Sequence, residues 1–280
     1  MRNLDQVNQA KLTQRPAYIQ GVKSYMVLVI DVGNTNIVMG VYAEKNLRAK
    51  WRLETDINAT PDEFNRLASS LLSANSIGPE KIDKIVISSV VPTVAGNLDF
   101  FCSKTIGCAP KWIDAVSAKK LNIQIWYDNL KELGTDRIVN AVAAYNKYKT
   151  GLIVIDLGTA TTIDAVSEKG VYLGGSISPG LVTSSEALFM QSSMLPRVKI
   201  DLPPKKVIGK NTIDSMLSGI IYGYAGLVDG ITRRMIKETK MNPLVIATGG
   251  LALLIYKVSE TIKIVEPDLT LEGLRLFGSL

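Results

Sequence analysis

Apolar residues in this chain fall into short β-branched runs separated by turns rich in glycine and hydroxyl groups, and two of these runs introduce the same unit. Val27-Leu-Val-Ile30 leads into Asp31-Val-Gly-Asn-Thr35, and Leu152-Ile-Val-Ile155 leads into Asp156-Leu-Gly-Thr-Ala-Thr161. Each turn is followed by a second apolar run, at 37–42 in one case and 162–166 in the other. Apolar runs of this length, bounded by Gly and Asn, read as buried strands. Strands are expected at 26–31, 36–43 and 46–54, as an antiparallel meander. Thr60-Pro-Asp-Glu63 then opens a helix to about Ala74, with Thr60 as N-cap, Pro61 at the first helical position and Glu63 closing a capping box.

The alternation continues with a strand at 84–89, a helix at 93–106 and short strands near 111–114 and 121–126. From Asp136 to about Tyr148, the spacing of Ile138, Val142 and Tyr145 predicts an amphipathic helix. Beyond the second strand–turn–strand unit come a strand at 170–177, helices at 181–190 and 212–239, and a strand at 244–248 ending at Gly249-Gly250. A further helix, a short strand at 261–265 and a helix at 270–278 follow. Each half thus opens with antiparallel strands and then alternates helix and strand. This predicts an α/β fold of duplicated mixed-sheet lobes, 26–133 and 134–280, with a central cleft. Strand ends facing such a cleft are where ligands bind. Residues 1–25 are polar and aperiodic and read as an N-terminal extension with little order.

Composition narrows the chemistry. Histidine is absent from all 280 residues, which removes histidine bases, Ser-His-Asp triads and His-metal sites together. Acid–base work falls to carboxylates, Lys, Tyr or Cys, and phosphoryl transfer tolerates that restriction because positioning and charge dominate it. Cys102 and Cys108 lack a zinc or redox spacing and read as buried or partly buried thiols. The net charge of +6 comes from scattered Lys and Arg, so no nucleic-acid stripe is expected, whereas a basic pocket for small anions stays open. Apolar stretches stop short of the roughly 20 residues of a membrane span, and no export signal is seen, so a soluble cytoplasmic protein is expected.

Five segments carry candidate chemistry. Turn amides and hydroxyls of the two Asp-Gly units can cradle phosphate oxygens, and a carboxylate beside them can hold Mg²⁺ through water. One such turn alone reads as an ordinary hairpin; two, each headed by Asp after a buried strand, point to a nucleotide triphosphate gripped from both sides. In Gly134-Thr-Asp-Arg137, Asp136 is either a helix cap or a general base, and Arg137 either a surface charge or a substrate-anion contact. Gly174-Gly-Ser-Ile-Ser-Pro-Gly180 allows close backbone approach. Thr248-Gly-Gly250 reads as an adenosine-contacting turn or a plain strand–helix joint. Walker A and Gly-x-Gly-x-x-Gly motifs are absent.

In this order the turns resemble the acetate and sugar kinase, heat-shock chaperone and actin superfamily, which implies actin-like (ribonuclease H-like) lobes. The set Asp31–Val38, Ser88–Pro92, Gly134–Ala141, Asp156–Thr162, Gly174–Gly180, Gly209–Thr212 and Ala247–Gly250 resembles the type III pantothenate kinase family from Met26 onward. The resemblance implies ATP-dependent phosphorylation of pantothenate, the first step to coenzyme A. It implies an ATP-binding loop of Asp31, Val32, Gly33, Asn34, Thr35, Asn36, Ile37 and Val38, with Thr159 as a further ATP contact. Tyr127, Gly134, Thr135, Asp136, Arg137 and Thr212 would contact pantothenate, with Asp136 the catalytic proton acceptor. Asp156 would hold a monovalent cation (potassium or ammonium), Asp31 would lie at the magnesium–phosphate centre, and the protein would be a homodimer whose substrate pocket draws on both subunits. Thr135 stands where alanine is usual and Leu157 where phenylalanine is usual. Two other readings compete: a kinase of another small alcohol or carboxylate on the same fold, and a non-catalytic nucleotide-binding regulator.

Overall fold

The structure, a computed structural model, describes residues 25–280, so the expectation for the N-terminal extension falls almost wholly outside the described residues. Two mixed sheets form the frame. The first has strand order β3-β2-β1-β4-β5, from β1 (Met26–Val32), β2 (Asn36–Ala43), β3 (Asn46–Glu54), β4 (Ile82–Ser89) and β5 (Lys111–Trp112). The second contains β7 (Leu152–Leu157), β8 (Ala160–Val166), β9 (Val171–Pro179), β10 (Leu244–Thr248) and β11 (Ile264–Val265), in the order β11-β10-β7-β8-β9. The two orders are the same when read from the meander outward. β1 pairs antiparallel with β2 and parallel with β4; β7 pairs antiparallel with β8 and parallel with β10. The duplication seen in the turns is therefore a duplication of topology. A short β6 (Gln124–Ile125) adds to the β9 edge of the second sheet.

Helices fill the spaces around the sheets. α1 (Pro61–Ala74) and α2 (Ala95–Phe101) cover the outer face of the first sheet, and α1 buries Phe64, Ala68 and Leu72 at helical spacing. Its capping box forms as the sequence predicts: Thr60 caps the Glu63 amide, and the Glu63 carboxylate accepts from the Thr60 amide at 2.8 Å. Such a cap stabilises a helix by about 1 kcal/mol. α5 (Thr212–Thr239) and α6 (Ala252–Tyr256) cover the outer face of the second sheet, with α4 (Leu181–Gln191) packing beside α5. α3 (Thr135–Tyr148) and α7 (Leu269–Gly278) lie between the sheets and share one core with side chains of both.

Three local expectations change. α3 is not one-sided: residues 137–144 are all buried, because the helix meets both sheets and α7. Small residues make this possible, Ala141, Ala143 and Ala144 on α3 and Gly273 on α7. A Cβ on Gly273 would stand 2.4 Å from the Val139 carbonyl oxygen, closer than packing allows. The helix expected over 93–106 is an α-helix only over 95–101, followed by a wider π turn at 102–106 that ends at Gly107. Within 121–126 only residues 124–125 pair as strand, since Ser117–Leu121 winds into a 3₁₀ turn. Cys102 is buried and Cys108 partly so, both as free thiols. No helix among the described residues is long and apolar enough to cross a membrane.

Candidate active site

The two Asp-Gly turns meet across the space between the sheets. The Thr35 and Thr159 hydroxyls are 2.6 Å apart, joining residues 124 positions distant in sequence. The turns differ in build. In the first, the Gly33 amide donates to the Asn36 carbonyl at 3.0 Å around a three-residue loop; in the second, the Gly158 amide donates to Ala160 at 3.1 Å around a two-residue loop. Neither glycine uses positive φ, contrary to the simplest reason for a glycine there. The third glycine turn does: Gly249 has φ +93°, and a Cβ on it would stand 2.6 Å from an Asp156 carboxylate oxygen. The end of β3 braces the first turn, with the Thr55 hydroxyl donating to the Gly33 carbonyl at 2.7 Å. The second is braced through the Thr159 carbonyl, which accepts from the Gly180 amide and the Thr183 hydroxyl, both at 2.9 Å.

Below the turns a cavity of about 340 Å³ collects the acidic residues. Asp31, at the end of β1, and Asp156, at the end of β7, project onto its floor together with Asp136 from the first turn of α3. Burial pushes the Asp31 carboxyl up to about 7, and the charges of Asp136 and Asp156 push the same way. Burial and Asp136 likewise push Asp156 up to about 6. Asp136 is raised by burial, with part of the rise offset by the Arg137 amide, which donates to it at 2.8 Å. Asp156 also accepts from Asn140 at 2.9 Å, and Asn140 in turn accepts from the Thr270 hydroxyl at 2.8 Å, so α3 and α7 together aim this carboxylate. The charge of Asp136 thus adds to the proton affinity of both Asp31 and Asp156, a crowding of negative charge that a cation relieves.

The same cavity is lined by Val32, Gly33, Asn34, Asn36, Val38, Thr159 and the Thr248-Gly249-Gly250 turn. Thr35 reaches it through its bond to Thr159, while Ile37 faces the core with 3% exposure. Thr135 does not line the cavity. Its hydroxyl lies 3.0 Å from that of Ser88 and donates to the Ser89 carbonyl at 3.2 Å, tying α3 to the end of β4. The threonine in place of the usual alanine therefore adds a tether between sheet and helix. Leu157, in place of phenylalanine, is core. Arg137 is 4% exposed, and its Nε and Nη2 donate to Asp164 at 3.0 and 2.5 Å. Tyr127 packs near Tyr172, with ring centroids 6.3 Å apart. Gly134 caps α3. Thr212 is set apart, at the start of α5 in a separate cavity of about 910 Å³ between α4 and α5.

Sequence reasoning missed Asn140, Thr270 and the two cations of β3, Lys50 and Arg52, all at or beside the cavity. Asn140 lies one helical turn after Asp136, a spacing that could have found it. Lys50 and Arg52 are two residues apart on a strand and so share a face, which the alternation of β3 already implied.

Comparisons with known proteins place the chain in a family. The family model of type III pantothenate kinase matches residues 27–234. A type III pantothenate kinase of Desulforapulum autotrophicum is 56% identical over 253 residues, covering 90% of this chain and 96% of that protein. One from Desulfatibacillum aliphaticivorans is 55% identical over 251 residues, covering 90% and 97%. Among solved structures, component A of (R)-2-hydroxyglutaryl-CoA dehydratase from Acidaminococcus fermentans superposes with a TM-score of 0.54 at 16% identity, over 91% of this chain and 99% of that one. The ethanolamine utilization protein EutJ from Carboxydothermus hydrogenoformans gives 0.56 at 15%, over 90% of each chain. At such identities the structural likeness speaks to the fold alone, which is the actin-like α/β architecture. Sequence carries the rest: the chain belongs to the type III pantothenate kinase family.

Proposed function

We propose that this protein transfers the γ-phosphoryl group of ATP to the primary hydroxyl of pantothenate, giving 4'-phosphopantothenate, the first step of coenzyme A biosynthesis. The observation that carries the reading is the convergence of Asp31, Asp136 and Asp156 on one cavity between two glycine turns. A binding protein has no use for three mutually repelling carboxylates, whereas a phosphotransferase needs both a cation anchor and a proton acceptor.

In this reading the halves 26–133 and 134–280 close on the nucleotide. Amides and hydroxyls of Asp31–Val38, with Thr159, bind the phosphates. The donor set fits a hydrated divalent cation: it is all oxygen, and among the described residues no three acidic or sulfur side chains converge tightly enough to cage a bare metal. Asp31 would hold Mg²⁺ through water, and Mg²⁺ spreads charge over the transferring phosphoryl group when bound. Asp156, steadied by Asn140, would hold potassium or ammonium. Asp136 accepts the proton of the attacking alcohol, and its raised proton affinity suits a base acting late in the transfer. Gly134, Thr135 and Arg137 fix the turn that presents Asp136, and Tyr127 borders the pantothenate side. Thr212 completes that pocket from a second subunit in a homodimer, which accounts for its distance from the other residues. The protein works in the cytoplasm, without a nucleic-acid or membrane partner.

The test is a coupled kinase assay with Mg-ATP and pantothenate, with and without potassium. ADP release dependent on pantothenate is expected, stimulated by potassium. Phosphorylation of a sugar or another small alcohol instead would replace the substrate, and ATP binding without turnover would favour a nucleotide-binding regulator.

A further inference from the structure

Arg52 is the cation of the cleft that has nothing to bind. It lies on β3 opposite Val38 of β2 and lines the same cavity as Asp31 and Asp156. Its neighbour on that face, Lys50, is held by Asp268 at 2.5 Å. Arg52 forms no ion pair and no side-chain hydrogen bond among the described residues. Yet its charge is felt by both floor carboxylates, each of which it draws toward the ionised form. Its Nη1 lies 3.9 Å from where a side chain on Gly250 would begin, so the guanidinium reaches from the first sheet to the glycine turn of the second.

A guanidinium is planar, permanently charged and shaped for two phosphate oxygens at once. Left exposed over two carboxylates without pairing to either, it is placed for an anion that enters above them. We propose that Arg52 binds the phosphate chain of ATP, bridging the Asp31 turn and the Gly249-Gly250 turn, and that it neutralises part of the triphosphate charge. The inference rests on the kinase reading and adds a phosphate-binding residue outside the turns that carry the family resemblance.

The test measures Arg52→Gln and Arg52→Lys against the unaltered protein by calorimetric titration with Mg-ATP and with ADP, and by steady-state kinetics in both substrates. A lost charge-assisted hydrogen bond predicts ATP affinity lower by about 10- to 100-fold in Arg52→Gln. KM for pantothenate is expected to change less than about 3-fold, and Arg52→Lys to recover part of the loss, because a point charge replaces the fork. Unchanged melting temperatures would exclude a general structural effect, and Arg52→Lys carries the test alone if Arg52→Gln fails to fold. ATP affinity within 2-fold of the unaltered protein in the folded variants would overturn the assignment, as would equal losses for both substrates. An unaltered protein that binds ATP without phosphorylating pantothenate would sink the kinase reading while leaving the Arg52 titration decisive on its own.

Discussion

Two sets of carboxylates in this protein are built in opposite ways. Asp164, on β8, accepts Nε and Nη2 of Arg137 and the Tyr172 hydroxyl at 2.7 Å; the arginine and the aspartate are 4% and 2% exposed. Asp229 shows the same completeness at the end of the second lobe. It accepts hydroxyls of Ser259 and Thr261, each at 2.6 Å, and two backbone amides, and these bonds hold its carboxyl below the usual range against the opposing pull of burial. Asp31, Asp136 and Asp156 form no ion pair among the described residues; burial raises all three, and the charge of Asp136 raises Asp31 and Asp156 further. A carboxylate satisfied by its own chain is scaffold. One left in deficit by its own chain is waiting for a ligand.

The largest effect that sharpens this contrast is on turnover. Asp136→Asn keeps the shape of the α3 turn but removes the proton acceptor, so kcat is expected to fall about 10²–10⁴-fold. Circular dichroism should show the fold intact, and near-normal turnover would move Asp136 to the scaffold side. Next comes Asp164→Asn, which strands a buried Arg137 charge. Breaking a buried pair from one side costs about 3–5 kcal/mol, to be read by urea unfolding. Loss of activity without loss of stability would show that the pair acts on substrate instead.

These distinctions also mark what could be read from the sequence. The strands, the capping box and the doubling of the Asp-Gly turn were legible because each is local: a β-branched run, a Thr-x-x-Glu spacing, a repeated tetrad. That Asp31 and Asp156 share a cavity followed from the doubling itself. The partner of Arg137 was not legible, because Asp164 is brought to it by the pairing of β8 and β9 and by the glycine at 175. A Cβ there would stand 2.3 Å from the Asp164 oxygen, so the ion pair needs that space. Nor was the full burial of α3 legible. Its spacing shows one apolar face, and Arg137 and Asn140 are buried as well because partners distant in sequence, Asp164 for the one and Asp156 and Thr270 for the other, pack against them.

A smaller effect, of opposite sign, tests the deficit directly. Burial and the charges of Asp136 and Asp156 push the Asp31 carboxyl up to about 7 from the 3.8 of a free side chain. Between those values the folded state binds more protons than the unfolded one, so the stability of the ligand-free protein falls as pH rises from about 4 to about 7. The slope from one group is at most about 1.4 kcal/mol per pH unit, and it vanishes above 7 once both states are ionised. Asp31→Asn removes this contribution. The ligand-free variant is expected to be more stable than the parent at pH 8, by about 1–3 kcal/mol, and equal to it near pH 4. Its use of Mg-ATP should be impaired at the same time. A variant less stable at pH 8 would place Asp31 with Asp164.

The smallest expected effect asks whether the clasp between the two turns belongs to the scaffold or to the site. Thr35→Val keeps the β-branched shape and removes one hydroxyl from the 2.6 Å pair with Thr159. Both residues are exposed, so water replaces the lost partner and stability should change by less than about 1 kcal/mol. If the hydroxyl instead serves a phosphate oxygen when the nucleotide is bound, KM for ATP should rise about 3- to 10-fold with KM for pantothenate unmoved. The opposite result, a lower melting temperature with unchanged KM, would make the threonine pair a latch that holds the lobes together without ligand. The phosphate contacts would then come from the turn amides, which no side-chain substitution removes.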